Sequence, residues 1–298
     1  MNKSWPLDLD ALPLAVGQCA ALATIMEATA PKPGNVYRGA DFEDLSYPDF
    51  VVSATLLAPI YDLAPDVPLG QTILAAVKTT RRAVATNANL GTILLIAPLA
   101  KVPRGVPLAA GISAVLAQLD ANDSRDVYEA IRHAKPGGLG RVEEGDVAAE
   151  PPASLLDAMR LAAERDMVAR QYAENFATVL DFVVPSLARE IAAGVCLLDA
   201  IVRVHVELMS QYPDSLIARR CGLEVAQQSA ARAGKVLAAG RPGSEAYEQG
   251  LADLDFWLRA RGHERNPGTT ADLVAAGLFV ALRDGIIKPP FRLARPWS

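Results

Sequence analysis

Two rigid polar turns, one near each end of the chain, place acid, amide and cationic side chains beside apolar helical segments. The first turn covers residues 27–38 and contains two prolines and a glycine. Proline fixes a backbone φ angle and glycine permits an unusual one, so this loop holds its side chains with little entropy left to lose on binding. The alternative is a stiff connector between helices with a solvated lysine. The groups offered to a phosphate-rich ligand are Glu27, Lys32, Gly34, Asn35 and Arg38.

The second turn covers residues 266–272 and opens directly into an apolar helix. We predict that Thr269 or Thr270 caps this helix, and that exposed amides from Gly268 onward favour an anion such as phosphate. Asp272 then lies in the first turn, where a carboxylate is stabilised whether or not it functions. Because an acid beside a phosphate repels it unless a cation lies between them, phosphate and Asp272 together imply Mg²⁺.

Two further segments carry polar groups within apolar surroundings. Asn87 and Asn89 need hydrogen-bond partners if buried, and such amides can hold ribose hydroxyls or the edge of a nucleobase. The alternative for this pair is a capped turn between two helices. Asp214 either caps a short helix or acts as a metal ligand or base, while Arg219 and Arg220 are candidate phosphate-binding groups at the end of that helix.

The dominant hydrophobic period along the chain is helical. Apolar residues recur every three or four positions over 156–167, 187–209 and 247–258, as expected of helices with one buried face. Ser154 with Asp157 three residues later has the spacing of a helix-capping box. Alternating apolar and polar runs joined by hairpin turns are absent from the sequence. We therefore predict an all-α fold, a single domain over residues 1–298 with about ten to twelve helices.

Composition and charge exclude several classes of protein. The chain has 298 residues, is 51% hydrophobic and carries a net charge of −5, which argues against a nucleic-acid or membrane-surface binder. Charged residues interrupt the apolar stretch 187–209, so no membrane span is predicted. Widely spaced cysteines and the lack of a leader pattern predict a cytoplasmic protein with free thiols. This composition is also compatible with a homodimer.

Taken in order, these segments resemble the triphosphoribosyl-dephospho-CoA synthase family, also called ATP:dephospho-CoA triphosphoribosyltransferases. The family's TPKPG loop appears here as Thr-Ala-Pro-Lys-Pro-Gly at residues 29–34, and its closing SPGGSADLL motif is similar to residues 266–274. An aspartate that follows the loop in the family corresponds to Asp41. A family segment that begins with Asp-Thr and ends in Arg and Gly looks like residues 214–222.

The resemblance implies transfer of the triphosphoribosyl group of ATP to the 2′-hydroxyl of 3′-dephospho-CoA, with release of adenine and dependence on Mg²⁺. Such a reaction needs carboxylates to stabilise a positive ribosyl centre, a base for the hydroxyl group, and cations for the triphosphate. The catalytic candidates are Asp214, Asp272 and Glu27. The metal candidates are Asp41, Asp214 and Asp272.

The chain departs from the family pattern at three places, one of which is the Gly-rich loop in the middle of the chain. Where the family reads Asn-Thr-His-Lys-Gly, residues 87–91 read Asn-Ala-Asn-Leu-Gly, and Thr269-Thr270 replaces the usual Gly-Ser. These changes predict a divergent branch, in which nucleotide use is a safer inference than dephospho-CoA as acceptor. Two alternatives stay open: an ATP- or GTP-dependent transferase acting on another cofactor precursor, such as in one-carbon cofactor synthesis, and a non-catalytic helical module that binds nucleotides.

Overall fold

The fold consists of α-helices joined by turns, as seen in a computed structural model that describes residues 13–84, 86, 88–135 and 150–294. Within these residues no strand forms, and only two isolated bridges occur, at Tyr37–Ala40 and Phe42–Leu45. The all-α prediction is therefore confirmed. The helices are α1 Val16–Thr29, α2 Tyr47–Asp62, α3 Leu69–Val84, α4 Leu90–Lys101, α5 Leu108–Ala117, α6 Ala121–Ala134, α7 Leu155–Ala162, α8 Met167–Ala173, α9 Val184–Ala192, α10 Leu197–Gln211, α11 Ser215–Cys221, α12 Leu223–Ala239, α13 Glu245–Arg259 and α14 Gly268–Arg283.

The described residues contain fourteen α-helices, more than the ten to twelve predicted. The apolar stripe over 187–209 is divided between α9 and α10, because Gly194 adopts a left-handed φ of 82° in the turn between them. The stripe over 156–167 is likewise divided between α7 and α8, where Asp166 accepts hydrogen bonds from the first amides of α8. Periodicity continues through such turns, so it predicted helix content better than helix number.

Two helices, α4 and α14, lie in the centre of the main core. Every residue from Thr92 to Ala100 in α4 is buried. In α14, every residue from Thr269 to Leu282 is buried except Asp272. Helices that are apolar on all sides must be surrounded by others, and α1, α9 and α10 pack around α14. Asp272 is thus the one interruption in the buried surface of a central helix.

A second, smaller core holds the helices that support the polar turns. Residues of α10, α11, α12 and α13 form this cluster, which includes Val206, Ile217, Val236 and Leu258. Leu251 packs against both clusters. The segment before α11, which ends at Asp214, and the second polar turn after α13 therefore adjoin helices that are packed in this cluster. In the described part of the chain, no helix is long and apolar enough to cross a membrane.

The contact between α1 and α2 depends on a glycine. A Cβ atom on Gly17 would overlap the backbone carbonyl of Ala58 in α2, and the Gly17 amide donates to Asp62 Oδ1 at 2.7 Å. Because backbone cannot move aside as a side chain can, we expect Gly17→Ala to lower the free energy of unfolding by ~1–3 kcal/mol. Chemical denaturation measures this change.

The matched control is Gly234→Ala in α12. A Cβ there meets no atom of the described structure within 4 Å, so the better helix propensity of alanine should raise the free energy of unfolding by up to about 1 kcal/mol. Equal effects of the two substitutions would contradict the close approach of α1 and α2.

Candidate active site

The N-terminal turns of α4 and α14 meet at Asp272. Thr92 Oγ1 donates to Asp272 Oδ1 at 2.6 Å, although the two residues are 180 positions apart in the chain. A Cβ atom on Gly91 would overlap Asp272 Oδ2, so glycine is required where the backbone of α4 passes this carboxylate. Thr92 was not among the residues predicted for a site. Its signal was a hydroxyl within the apolar run of residues 90–99.

The environment of Asp272 makes its carboxyl group unusually basic. Burial raises its pKa to about 7, the hydrogen bond from Thr92 opposes this change, and the charges of Glu27 and Asp214 add to it. Glu27 is thus close enough for its charge to act on Asp272. A carboxylate with a pKa near neutral is suited to take up and release a proton, whereas an ordinary aspartate is ionised throughout.

This pKa predicts a pH dependence of stability. An unperturbed aspartate has a pKa of 3.8, so between that value and about 7 the native state keeps a proton that the unfolded chain has lost. Asp272 therefore lowers the free energy of unfolding as pH rises across this window, by up to ~1.4 kcal/mol per pH unit. Urea unfolding at pH 5 and pH 7 should show a smaller decline for Asp272→Asn than for the unsubstituted protein. Parallel declines would contradict the raised pKa.

Glu27 and Lys32 form an ion pair inside the protein. Lys32 Nζ lies 3.1 Å from Glu27 Oε1, and the exposed fractions of the two side chains are 0% and 6%. The ammonium group also donates to the carbonyl oxygens of Glu27, Ala30 and Val36. Burial raises the pKa of Glu27 and lowers that of Lys32, and each partner offsets part of the other's shift. The prediction that Lys32 binds phosphate is not supported, because its charge is used to close the end of α1.

The rest of this first turn is held against α13 and the second turn. The Gly34 amide donates to Asp255 Oδ1 at 2.7 Å, and Arg259 donates to the carbonyl oxygen of Asn35. Asn35 Nδ2 donates to Asn266 Oδ1 at 3.0 Å, which joins the two polar turns directly. These contacts are what a rigid loop requires, and they engage Gly34 and Asn35 within the protein.

Asp214 joins the starts of α11 and α14. Its Oδ1 accepts from the amides of Leu216 and Ile217, and its Oδ2 accepts from the amide and hydroxyl of Thr270. Burial raises its pKa, while the hydrogen bonds from Ile217 and Thr270 counteract that effect. With four donors on two oxygens, its lone pairs are occupied. This matches the helix-capping interpretation of Asp214, and it leaves no site for a metal or for a proton from substrate in this arrangement.

The start of α14 also differs from the structure predicted for it. The N-cap residue is Pro267, so Thr269 and Thr270 lie within the first turn and are buried. The Thr269 hydroxyl contacts the Ser215 hydroxyl at 3.1 Å, and the Thr270 amide binds Asp214. A carboxylate of the protein therefore takes the Thr270 amide, and anion binding by the rest of residues 268–270 stays a prediction.

Five other predicted residues have partners within the protein, are exposed, or lie outside the described residues. Arg219 pairs with Asp166 at 2.7 Å, and Arg220 donates to the carbonyl oxygen of His263 at 2.9 Å. Asp41 is exposed and accepts from the Tyr47 amide at the start of α2. Arg38 is exposed, and Asn87 lies outside the described residues. Ligand binding by these residues stays a prediction.

Asn89 connects α4 with α2. It is the N-cap residue of α4, is buried, and donates through Nδ2 to Ser53 Oγ. Its Oδ1 has no hydrogen-bond partner among the described residues. Asn89 thus stands at the N-cap position without making a side-chain cap hydrogen bond, so the capped turn predicted as the alternative is not closed by this amide, and its oxygen is unused.

The fold and this site define an all-helical protein with two carboxylates close enough to interact near helix ends, the buried Glu27 and the half-buried Asp272. The family model described as CitG, ATP:dephospho-CoA triphosphoribosyl transferase, matches residues 13–289. The chain belongs to this family.

Individual relatives agree with the assignment. A protein of Pseudomonas syringae pv. syringae (strain B728a) is 31% identical over 200 residues, covering 64% of this chain and 63% of the relative. One of Azotobacter vinelandii (strain DJ / ATCC BAA-1303) is 30% identical over 190 residues, covering 63% and 62%. Both carry the designation 2-(5''-triphosphoribosyl)-3'-dephosphocoenzyme-A synthase. The chain thus spans less than two thirds of the length of these curated relatives.

A solved structure shares the fold over most of the chain. It is a crystal structure from Archaeoglobus fulgidus that carries a triphosphoribosyl-dephospho-CoA synthase designation. The TM-score is 0.60 at 26% identity, and the match covers 78% of this chain and 98% of that chain.

Proposed function

We propose that this chain transfers the triphosphoribosyl group of ATP to the 2′-hydroxyl of 3′-dephospho-CoA and releases adenine. The observation that carries the proposal is that Asp272, with a pKa of about 7, lies within electrostatic reach of buried Glu27. The family match of the chain spans residues 13–289. Transfer at a ribose C1′ passes through a positively charged centre. Glycoside hydrolysis does the same, and there one carboxyl group transfers a proton while the other acts at the sugar carbon or on the attacking water.

The two acids have distinct parts in this proposal. Asp272 takes the proton of the attacking hydroxyl, because its pKa allows both forms near neutral pH. The C1′–O bond forms as the C1′–N9 bond breaks, and the electron pair of that bond leaves with adenine, which then takes a proton from water. Glu27, oriented by Lys32, supplies negative charge beside the developing ribosyl cation. Asp214 acts as a positioning residue by fixing the first turn of α14.

The oxygen atoms of the Glu27 carboxylate are ligands of the kind that Mg²⁺ prefers. Glu27 Oε1 is buried, with Lys32 as its charged neighbour and no hydrogen bond in the described structure. No group of three or more Asp, Glu, His or Cys side chains suited to a metal occurs among the described residues. Mg²⁺ is commonly bound by only one or two carboxylates together with substrate phosphates. Glu27 would hold the ion together with substrate phosphates, and the ion would neutralise triphosphate charge.

The test is adenine release from ATP and Mg²⁺, with and without dephospho-CoA, followed by mass-resolved chromatography. We expect adenine only when dephospho-CoA is present, together with a CoA product heavier by the triphosphoribosyl group. Protein that binds ATP but releases no adenine would refute the proposal. Release with another cofactor precursor alone would keep the transfer and replace the acceptor.

A further inference from the structure

A cleft between α3, α4 and the end of α6 contains polar atoms without partners. Its wall has an apolar side, with Val77, Ile93 and Ala134, and a polar side, with Thr80, Arg81, Thr86 and Asn89. Three buried oxygens of this polar side have no hydrogen-bond partner within the described residues: Thr80 Oγ1, Thr86 Oγ1 and Asn89 Oδ1. The exposed fractions of Thr80 and Asn89 are 3% and 2%. Buried polar atoms are nearly always paired, so three unpaired oxygens in one cleft point to a ligand.

The orientation of the Asn89 amide is fixed by its neighbour. Ser53 has one hydroxyl proton, which it donates to the Asp49 carbonyl oxygen at 2.7 Å. Ser53 Oγ can therefore only accept from Asn89, so the amide must turn its Nδ2 toward Ser53. Since Ser53 is not part of the cleft wall, the carbonyl oxygen of Asn89 remains as the acceptor for a group entering the cleft.

We propose that Asn89 accepts a hydrogen bond from the 6-amino group of the ATP purine and thereby selects adenine over 6-oxo purine nucleotides, an inference that rests on the proposed function. The enclosed part of the cleft has room for a group about the size of one water molecule, which suits an amine at the edge of a ring. Adenine offers a donor at N6 beside an acceptor at N1, which match Asn89 Oδ1 and the Thr80 hydroxyl. A 6-oxo purine reverses this pattern and places one carbonyl oxygen against another.

The position of the cleft agrees with the proposed chemistry. Asn89 precedes by two and three residues Gly91 and Thr92, which contact Asp272. Residues about one helical turn apart are ~5–6 Å apart, a distance comparable with the span of a purine from its sugar bond to its amino group. The first turn of α4 can thus hold the base at Asn89, while Asp272, which accepts from Thr92 about one turn further along, faces C1′.

The experiment compares the affinities of ATP and inosine triphosphate, both with Mg²⁺, by titration calorimetry. The unsubstituted protein should prefer ATP by about tenfold or more, the effect of facing two acceptors in a buried site. Asn89→Ala should reduce the preference to about twofold or less by weakening ATP binding. Ser53→Ala leaves Asn89 intact but frees its amide to rotate, so it should also reduce the preference. Asn122→Ala, on the exposed start of α6, should leave it unchanged.

The possible outcomes separate base selection by Asn89 from the proposed transfer reaction. Equal affinities in the unsubstituted protein, or a preference that survives both Asn89→Ala and Ser53→Ala, would overturn the inference and assign the cleft to an ordinary water molecule. Such a result combined with dephospho-CoA-dependent adenine release would leave the proposed function standing. An Asn89-dependent preference without any transfer would support base selection and refute the proposed reaction. Failure of the folded protein to bind either nucleotide would overturn both.

Discussion

Replacement of Asp272 by asparagine should lower the rate of adenine release by about a thousandfold. Asparagine has the same shape and still accepts the hydrogen bond that Thr92 donates at 2.6 Å. It cannot take a proton at neutral pH, so the attacking hydroxyl loses its base. Initial rates at saturating ATP and dephospho-CoA measure the loss, and thermal melting checks that the variant is folded. Turnover within tenfold of the unsubstituted protein would remove Asp272 from the mechanism.

Two further variants separate chemistry from structure. Asp253→Asn changes an exposed carboxylate on α13 and should leave the rate unchanged. Thr92→Val removes the hydrogen bond that lowers the pKa of Asp272. The pH at which the rate is half-maximal should therefore move upward, because Asp272 then loses its proton at higher pH. A uniform loss of rate without this displacement would indicate that Thr92 has only a structural role.

Replacement of Lys32 by methionine should lower the free energy of unfolding by about 3–5 kcal/mol. The substitution leaves the buried Glu27 carboxylate without its counter-charge and removes the donor to three backbone carbonyl oxygens. A charge taken out of water is costly when its partner is removed, because no solvent can replace that partner. Urea unfolding near pH 7 measures the change.

The matched control is Lys78→Met. Lys78 and Glu129 lie 2.6 Å apart, but each side chain is 44% exposed, so the loss should stay below about 1 kcal/mol. The double substitution Glu27→Gln with Lys32→Met should recover part of the stability lost in the single variant, because no uncompensated charge remains. Equal effects of Lys32→Met and Lys78→Met would contradict a structural role for the buried pair.

The sequence by itself determined the helical class and some of the helix boundaries. Apolar residues at helical spacing bury one face of each helix whatever lies opposite, so periodicity alone predicts the all-α fold. Ser154 does accept the Asp157 amide at the start of α7, because capping depends on residues only a few positions apart. The order of the polar turns along the chain also supports the family resemblance, and this order does not depend on contacts between the turns.

Only the tertiary structure decided what the polar residues of those turns contact. Lys32 and Asp214 looked available to a ligand, yet both are buried and satisfied by partners within the protein. Conversely, the contact of Thr92 with Asp272 joins helices 180 residues apart, and no local pattern encodes that distance. Burial and charge pairing arise from packing between distant segments, and they set which acid has a pKa near 7. The sequence therefore supplied the candidate groups, and the packing of α4 against α14 selected among them.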